Sequence, residues 1–351
     1  MHHKVGVCLV GLCFAVSIGF LLFTDPTKLQ NTKAQPVEET KHEPTDSLRN
    51  KTRPRKQVKN SQCFKDRFAD ILLVIIYNHP LYDSADLLRE FYQPAFPNIY
   101  FCGEIANTTF NVHASQINKG IYGYKCLADA IEANPHFSGY LYINDDVIVN
   151  YWNLVKARFN FSHVGVSSNQ FGKVDIKEAM PTNWYWWISP YGFSNCQKSI
   201  KEISLLKKHS LFFKNAVDMF DINGKGENYC HNGRSDIVYI PRQVSMAFYE
   251  LSNIFYKHHV FLEIAIPTIL RYLSKEKEIS TLHGMYLPGD VRKKDPRVTD
   301  SRYFWTTYLK RESLWFIHPF KLHHYEDHNR DLNIELMKRI MIRKSTELTR
   351  C

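Results

Sequence analysis

No Cys-x-x-Cys pair occurs in this 351-residue chain, and no glycine-rich phosphate loop follows any of its apolar runs. The first absence argues against a zinc site built on cysteine. The second means no Gly-x-Gly-x-x-Gly and no Gly-x-x-x-x-Gly-Lys-Ser/Thr. It removes dinucleotide oxidoreductases and P-loop ATPases from the leading classes. There is no internal repeat. Glycine and proline number 15 each, and 44% of residues are hydrophobic, so neither a collagen nor a disordered chain fits. What is abundant is aromatic: 20 Tyr, 23 Phe and 6 Trp, enough for a core that stands alone. The formal net charge of +10 points to an anionic partner, whether nucleic acid, an anionic surface or a phosphorylated ligand.

The N-terminus narrows that choice. Residues 1–4 read as a short cytoplasmic tail, and Val5 to Phe23 is an uncharged apolar run. A run of this length spans roughly 28 Å of hydrocarbon, enough to cross a membrane. It lacks the short apolar core and small-x-small site of a cleaved signal, so it reads as a type II signal anchor with a lumenal body. Residues 24–61 are polar and read as a disordered stem. The basic cluster from Arg49 to Lys59 lies there and reads as a solvated tether, not a nucleic-acid site. Asn50, Asn107 and Asn160 begin Asn-x-Ser/Thr sequons. Six cysteines lie beyond the anchor: Cys63, Cys102, Cys126, Cys196, Cys230 and Cys351. In a lumen they allow up to three disulfides, with the pairing open.

From Asp70 strands alternate with helices. Ile71–Tyr77 is a continuous β-branched run, the pattern of a strand buried on both faces. A helix carrying Leu87, Leu88 and Phe91 follows, then a strand over Asn98–Gly103, a helix over Tyr122–Ala133 and a strand over Gly139–Ile143. This alternation predicts an α/β, Rossmann-like half. Further amphipathic helices are expected near Gln197–Lys208, Val244–Tyr256 and Phe261–Tyr272.

Asn144-Asp145-Asp146 falls where the third strand stops. Ligands of open α/β sheets bind at the carboxyl ends of strands. Two adjacent carboxylates there repel unless something cationic pairs them, and Mg²⁺ or Mn²⁺ prefers such oxygen ligands. A surface turn is the bland alternative. The segment Asn144–Asn150 resembles the DDDVFVN signature of β-1,3-galactosyltransferases, with Asn144 in place of the first Asp.

Anchor, stem, Rossmann-like half and acidic strand end together resemble a GT-A-type Golgi glycosyltransferase. The pattern of Ile75–Pro80, Phe96–Ile99 and Gly139–Tyr142 is similar to the STELLO-type proteins. The resemblance spans roughly residues 70 to 325. It implies a GT-A-like, mixed-sheet lumenal domain over residues 62–345 that uses Mn²⁺ or Mg²⁺ to grip the diphosphate of a nucleotide-sugar. Asp145 and Asp146 would be metal ligands, and Asn144 a donor contact. The strand ending in His318-Pro319-Phe320-Lys321 offers His318 as a further ligand and Lys321 as a diphosphate contact, with His323 and His324 as neighbours. Glu263, alone in an apolar stretch, would be the general base of an inverting enzyme; a structural Glu paired with Arg271 or Lys257 is the alternative. Asp236 is a rival catalytic carboxylate. Trp184 and Trp186 either stack on the donor or pack the core, and in a strand they would share one face. The implied partners are a nucleotide-sugar, a glycan or glycoconjugate acceptor and, through residues 5–23, the Golgi membrane, with self-association left open. The competing readings are a non-catalytic Golgi scaffold with a degenerate fold and a lumenal carbohydrate-binding protein.

Overall fold

The computed structural model describes residues 64–157, 159–167, 170–287, 295–323 and 330–349. The expected anchor and stem, Asn50, Cys63, His324 and Cys351 lie outside them. Among the described residues no helix is long and apolar enough to cross a membrane.

The strands anticipated from apolar runs are present: β1 (Ile71–Tyr77), β2 (Ile99–Gly103), β3 (Val112–Ala114) and β4 (Gly139–Asn144). They lie parallel in the order β3-β2-β1-β4. Every residue of β1 and β4 is buried, because β1 carries apolar side chains on both faces. Leu72, Val74 and Ile76 pack on one side of the sheet, and Ile71, Leu73, Ile75 and Tyr77 on the other. That is the period-two alternation of an extended chain. The first side is covered by helices α1 (Gly123–Ala133), α2 (Arg242–Lys257) and α3 (Leu262–Leu273).

Beyond β4 the sheet becomes mixed. After the short strand β5 (Ile148–Val149), β6 (Gly165–Ser167) and β7 (Gln170–Asp175) follow. Strand β8 (Tyr229–Gly233) pairs antiparallel with β7 as a two-stranded ribbon. Strand β9 (Ile237–Pro241) runs antiparallel beside β4, and β6 and β10 (Ser280–Leu282) complete seven strands. A small second sheet joins β11 (Gly284–Tyr286), β12 (Phe316–His318) and β5.

Cys102–Cys126 ties β2 to α1, and Cys196–Cys230 ties the helix Phe193–Leu206 to β8. The last described helix runs from Ile342 to Thr349, past the expected boundary at 345. Ser345, on this helix, is buried.

The Trp-rich segment is not a strand, so the face-sharing that a strand would impose does not apply: Tyr185–Ile188 is a short helical turn with Trp184 extended before it. Gly192 permits this turn, since a Cβ there would lie 2.1 Å from the Trp186 carbonyl oxygen and 2.3 Å from that of Trp187.

Candidate active site

Strand order builds the site. β4 leaves β1 on the side away from β2, so the chain order reverses between β1 and β4, the place where α/β sheets bind ligands. Asn144-Asp145-Asp146 stands there. Because β9 is antiparallel to β4, with Ile143 opposite Ile237, its entry residue Asp236 lands beside Asn144. Because β12 is antiparallel to β5, with Ile317 opposite Ile148, His318 is carried toward Asp146. The Phe320 N–H donates to the Asp146 carbonyl at 2.7 Å and holds the two segments together. Parallel pairing of β11 with β12 sets Tyr286 opposite His318.

The side chains then converge. His318 Nε2 lies 3.3 Å from Asp146 Oδ1 and 3.5 Å from Asp236 Oδ1. Lys321 Nζ is 2.5 Å from Asp146 Oδ2. Asn144 Nδ2 donates to Asp236 Oδ1 at 3.0 Å, while the Tyr142 hydroxyl donates to Asn144 Oδ1 at 3.0 Å. The Tyr286 hydroxyl lies 3.1 Å from Asp236 Oδ2. Asp145 faces a different neighbour: its Oδ2 is 3.7 Å from His323 Nε2.

The electrostatics separate the two adjacent aspartates. Burial, reinforced by the charge of Asp146, pushes the Asp145 carboxyl up to about 8. Burial also opposes ionisation of Asp146, but His318 and Lys321 outweigh it and hold that carboxyl well below the usual range. Burial would lower His318; the carboxylates of Asp146 and Asp236 overcome it and raise its basicity. Burial and the Lys321 charge lower His323. Burial thus favours the neutral form of Asp145, while His318 and Lys321 favour the charged form of Asp146.

Glu263 opens α3, with the N–H groups of Phe261 and Leu262 anchored on the carbonyls of Tyr191 and Ile121 at 2.7 and 2.8 Å. Its side chain is 14% exposed and its carboxyl is pushed up to about 7, first by burial and then by Asp236. Neither Arg271 nor Lys257 is its partner. Arg271 pairs with Glu276 and Lys257 with Glu202. The partner is Arg234, with Nη1 3.9 Å from Oε1. The Arg234 guanidinium also sits 5.1 Å from the centroid of the Tyr286 ring. Arg234 thus links Glu263 to the cluster at the end of β4.

Glu263 and Arg234 line a cleft of about 480 Å³ together with Lys173 and the tryptophans of the 184–187 turn. Trp184, Trp186 and Trp187 all border it, which the helical turn permits and a strand would not. Trp186 stacks on Phe261 with ring centroids 3.9 Å apart, so one of its faces is already covered.

Sequence reasoning missed Arg234, Tyr286 and Lys173. Only Arg234 had a nearby signal, two residues before Asp236. Asp236, named as a rival catalytic group, proves to be a neighbour of His318.

Comparison of the sequence with known proteins points to one family. A family profile of STELLO glycosyltransferases matches residues 34–238, more than half of the sequence. The chain belongs to the STELLO glycosyltransferase family. Among its relatives are two Arabidopsis thaliana proteins, "Probable glycosyltransferase STELLO1", 21% identical over 233 residues, and "Probable glycosyltransferase STELLO2", 20% identical over 230. Each alignment covers 65% of this chain and 28% of the relative, so the chain spans less than a third of their length. The profile ends at residue 238, and Glu263, Tyr286, His318 and Lys321 lie beyond it.

Proposed function

We propose that the chain is a metal-dependent glycosyltransferase of the hexosyltransferase class with a GT-A-like nucleotide-sugar domain. It moves a sugar from a nucleotide-sugar, with a UDP-sugar the leading donor, to a hydroxyl of a glycan, protein or lipid. We place it in the Golgi membrane as a single-pass type II protein anchored by residues 5–23. The observation that carries the reading is the meeting of Asp146, Asp236 and His318 at the sheet's switch point.

The donor set fits a hard divalent cation. Two carboxylates and an imidazole face one another, and Asp146 Oδ1 is buried without a hydrogen-bond partner. Among the described residues no group of three or more His, Cys, Asp or Glu is arranged so that it could hold a metal ion by itself, so the ion has to draw ligands from the substrate. An incomplete set suits Mn²⁺ or Mg²⁺, which commonly takes part of its shell from substrate phosphates. This arrangement favours Asp236 over Asp145 as the second carboxylate ligand. A bound ion would act as a Lewis acid and neutralise charge on the leaving diphosphate.

The remaining roles belong to the chain. Lys321 turns from Asp146 toward the diphosphate as a point charge. Asn144 holds Asp236 in place; an aspartate at 144 would set a third carboxylate 3.0 Å away. Glu263 accepts the proton of the acceptor hydroxyl, and a carboxyl near 7 suits that task at neutral pH.

The test is thermal unfolding of the full chain with UDP, GDP and CMP, with and without Mn²⁺. A metal-dependent rise with one nucleotide, abolished in Asp146→Ala, supports the reading. Absence of a rise with every nucleotide overturns it. A second reading, a regulatory protein with a closed site, is favoured by the Lys321–Asp146 ion pair. It predicts a folded chain that gives no metal-dependent response to any nucleotide.

A further inference from the structure

We infer that the cleft beside the Trp184–Trp187 turn binds an uncharged glycan through the Asn232 amide and the tryptophan wall, and that it is the acceptor subsite. The acceptor role rests on the proposed transferase function; the binding of a neutral sugar does not. At about 480 Å³ the cleft is in the size range of small-ligand sites. One wall is aromatic and held in place from behind. Trp186 is stacked on Phe261 with 13° between the rings, and Trp187, 2% exposed, meets Trp184 edge-on at 85°. Trp184 and Trp186 are half-buried and border the cleft. Sugar rings carry apolar C–H faces that suit such a wall, and a wall already fixed loses little freedom when it is covered.

The β7–β8 ribbon forms another wall, and its register decides which side chains look into the cleft. Opposed pairs alternate between the two faces of the ribbon. Gly172 opposite Asn232 and Val174 opposite Cys230 share one face, and the Cys196–Cys230 disulfide turns that face toward the helix that follows the tryptophan turn. Lys173 leaves by the other face, where its Nζ rests 4.0 Å from the centroid of the Tyr229 ring. Asn232 lines the cleft and is 6% exposed, yet its side-chain amide has no hydrogen-bond partner among the described residues. Leaving such a group unpaired is costly, and a ligand that pairs it recovers that cost. An amide both donates and accepts, as a sugar hydroxyl does in return. Gly172 keeps the approach open, since even a Cβ there would lie 3.5 Å from Asn232 Oδ1.

The charges favour a neutral ring. Arg234 and Glu263 stand 3.9 Å apart in the cleft and offset each other. An ionic ligand finds no unmatched counter-charge there, whereas a neutral one leaves the pair intact. Asp146, His318 and Lys321 do not line the cleft, which separates it from the diphosphate end of the donor, but Glu263 does. With a ring on the tryptophans and one hydroxyl on Asn232, a second hydroxyl reaches Glu263.

The experiment measures binding of the full chain to immobilised neutral oligosaccharides with hexose, pentose and N-acetylhexosamine ends, beside uronic-acid and phosphorylated ones. The expected result is that at least one neutral member binds and that no ionic member binds more tightly. Asn232→Ala and Asn232→Asp each weaken that binding about tenfold, the loss of one hydrogen bond, and Trp184→Ala weakens it at least as much. Stabilisation by UDP and Mn²⁺ stays as in the wild type. Asn232→Asp keeps the shape and removes the donors, so it reads the amide even where the alanine variant does not fold. No binding to any neutral glycan, binding undiminished in Asn232→Asp, or tighter binding of an ionic member overturns the inference. If Asn232→Asp instead abolishes the nucleotide response, the cleft belongs to the donor and the inference falls. If no nucleotide stabilises the wild type but the Asn232-dependent binding holds, the transferase reading fails and the neutral-glycan site stands.

Discussion

The end of β4 and the tryptophan cleft meet at Arg234, yet they treat charge in opposite ways. At the strand end each charged group already has a partner within the protein: Asp146 has Lys321 and His318, and Asp236 has Asn144 and Tyr286. In the cleft Glu263 has Arg234 at 3.9 Å, yet burial outweighs that ion pair and raises its carboxyl to about 7. The first arrangement stores a negative site that a cation can take over; the second keeps a carboxyl poised between its charged and neutral forms. Strong internal pairing marks where a metal would compete, and a carboxyl raised by burial marks where a proton would move.

The strongest way to break this contrast is Asp146→Ala. It strips His318 and Lys321 of their shared carboxylate, and breaking a buried pair of this kind costs about 3 kcal/mol. With the proposed metal ligand gone, turnover should fall by roughly a thousandfold. Urea unfolding and a donor-hydrolysis assay check the two effects separately.

Glu263→Gln acts on the cleft side. We expect a turnover loss of roughly a hundredfold or more and disappearance of a rate limb that rises as pH passes through about 7. Stability moves the other way. The folded-state carboxyl is raised, so the folded chain holds its proton longer than the unfolded one. The penalty is absent below the unfolded value near 4.5, grows as pH rises toward about 7 and is constant above. Glu263→Gln should therefore stabilise the protein at pH 8, by an amount on the order of 3 kcal/mol, and change little at pH 4. Denaturant melts at both pH values decide it, and equal shifts would be inconsistent with a buried, titrating Glu263.

Asn144→Asp asks whether the strand end tolerates one more charge. A carboxylate in place of the amide that donates to Asp236 should cost about 2 kcal/mol at neutral pH. The cost should shrink as the medium is acidified and the pair takes up a proton. Gly192→Ala tests the cleft wall through the backbone alone. A Cβ at 2.1 Å from a carbonyl must displace the tryptophan turn, for roughly 1–2 kcal/mol of stability, read by urea unfolding. The smallest effect is expected at Asn160, which is exposed, whereas Asn107 is half-buried; each side-chain oxygen accepts one backbone N–H, from Ser162 and Phe110 respectively. In a lumen Asn160 is the better sugar acceptor of the two. Asn160→Gln should remove one glycan by mass and leave the unfolding midpoint unchanged.

How far sequence reading reached depended on the distance over which a residue's role is set. The run Ile71–Tyr77 declares a strand buried on both faces because every side chain is apolar or aromatic, and Gly139–Ile143 reads as a strand that the structure extends to Asn144. Glu263 drew notice as a carboxylate among aliphatic residues, and His318 as the polar end of an apolar strand. The tryptophan turn was not legible because a run of aromatics has no period of its own; a close backbone approach at Gly192 shapes it. Lys173 and Tyr286 carried no local signal at all.

Periodicity was sufficient to place strands and helices, since burial of a face is a local demand on side chains. The chemistry was settled by strand direction. Antiparallel β9 enters the sheet at the level where β4 leaves it, so Asp236 reaches Asn144 across 92 residues of sequence. A parallel β9 would have put that carboxylate at the opposite end, beside Gly139. Likewise the register of β12 against β5 brings His318 to Asp146. Such pairings depend on which backbone edges hydrogen-bond, and that is fixed by packing of the whole sheet instead of by any neighbouring residue.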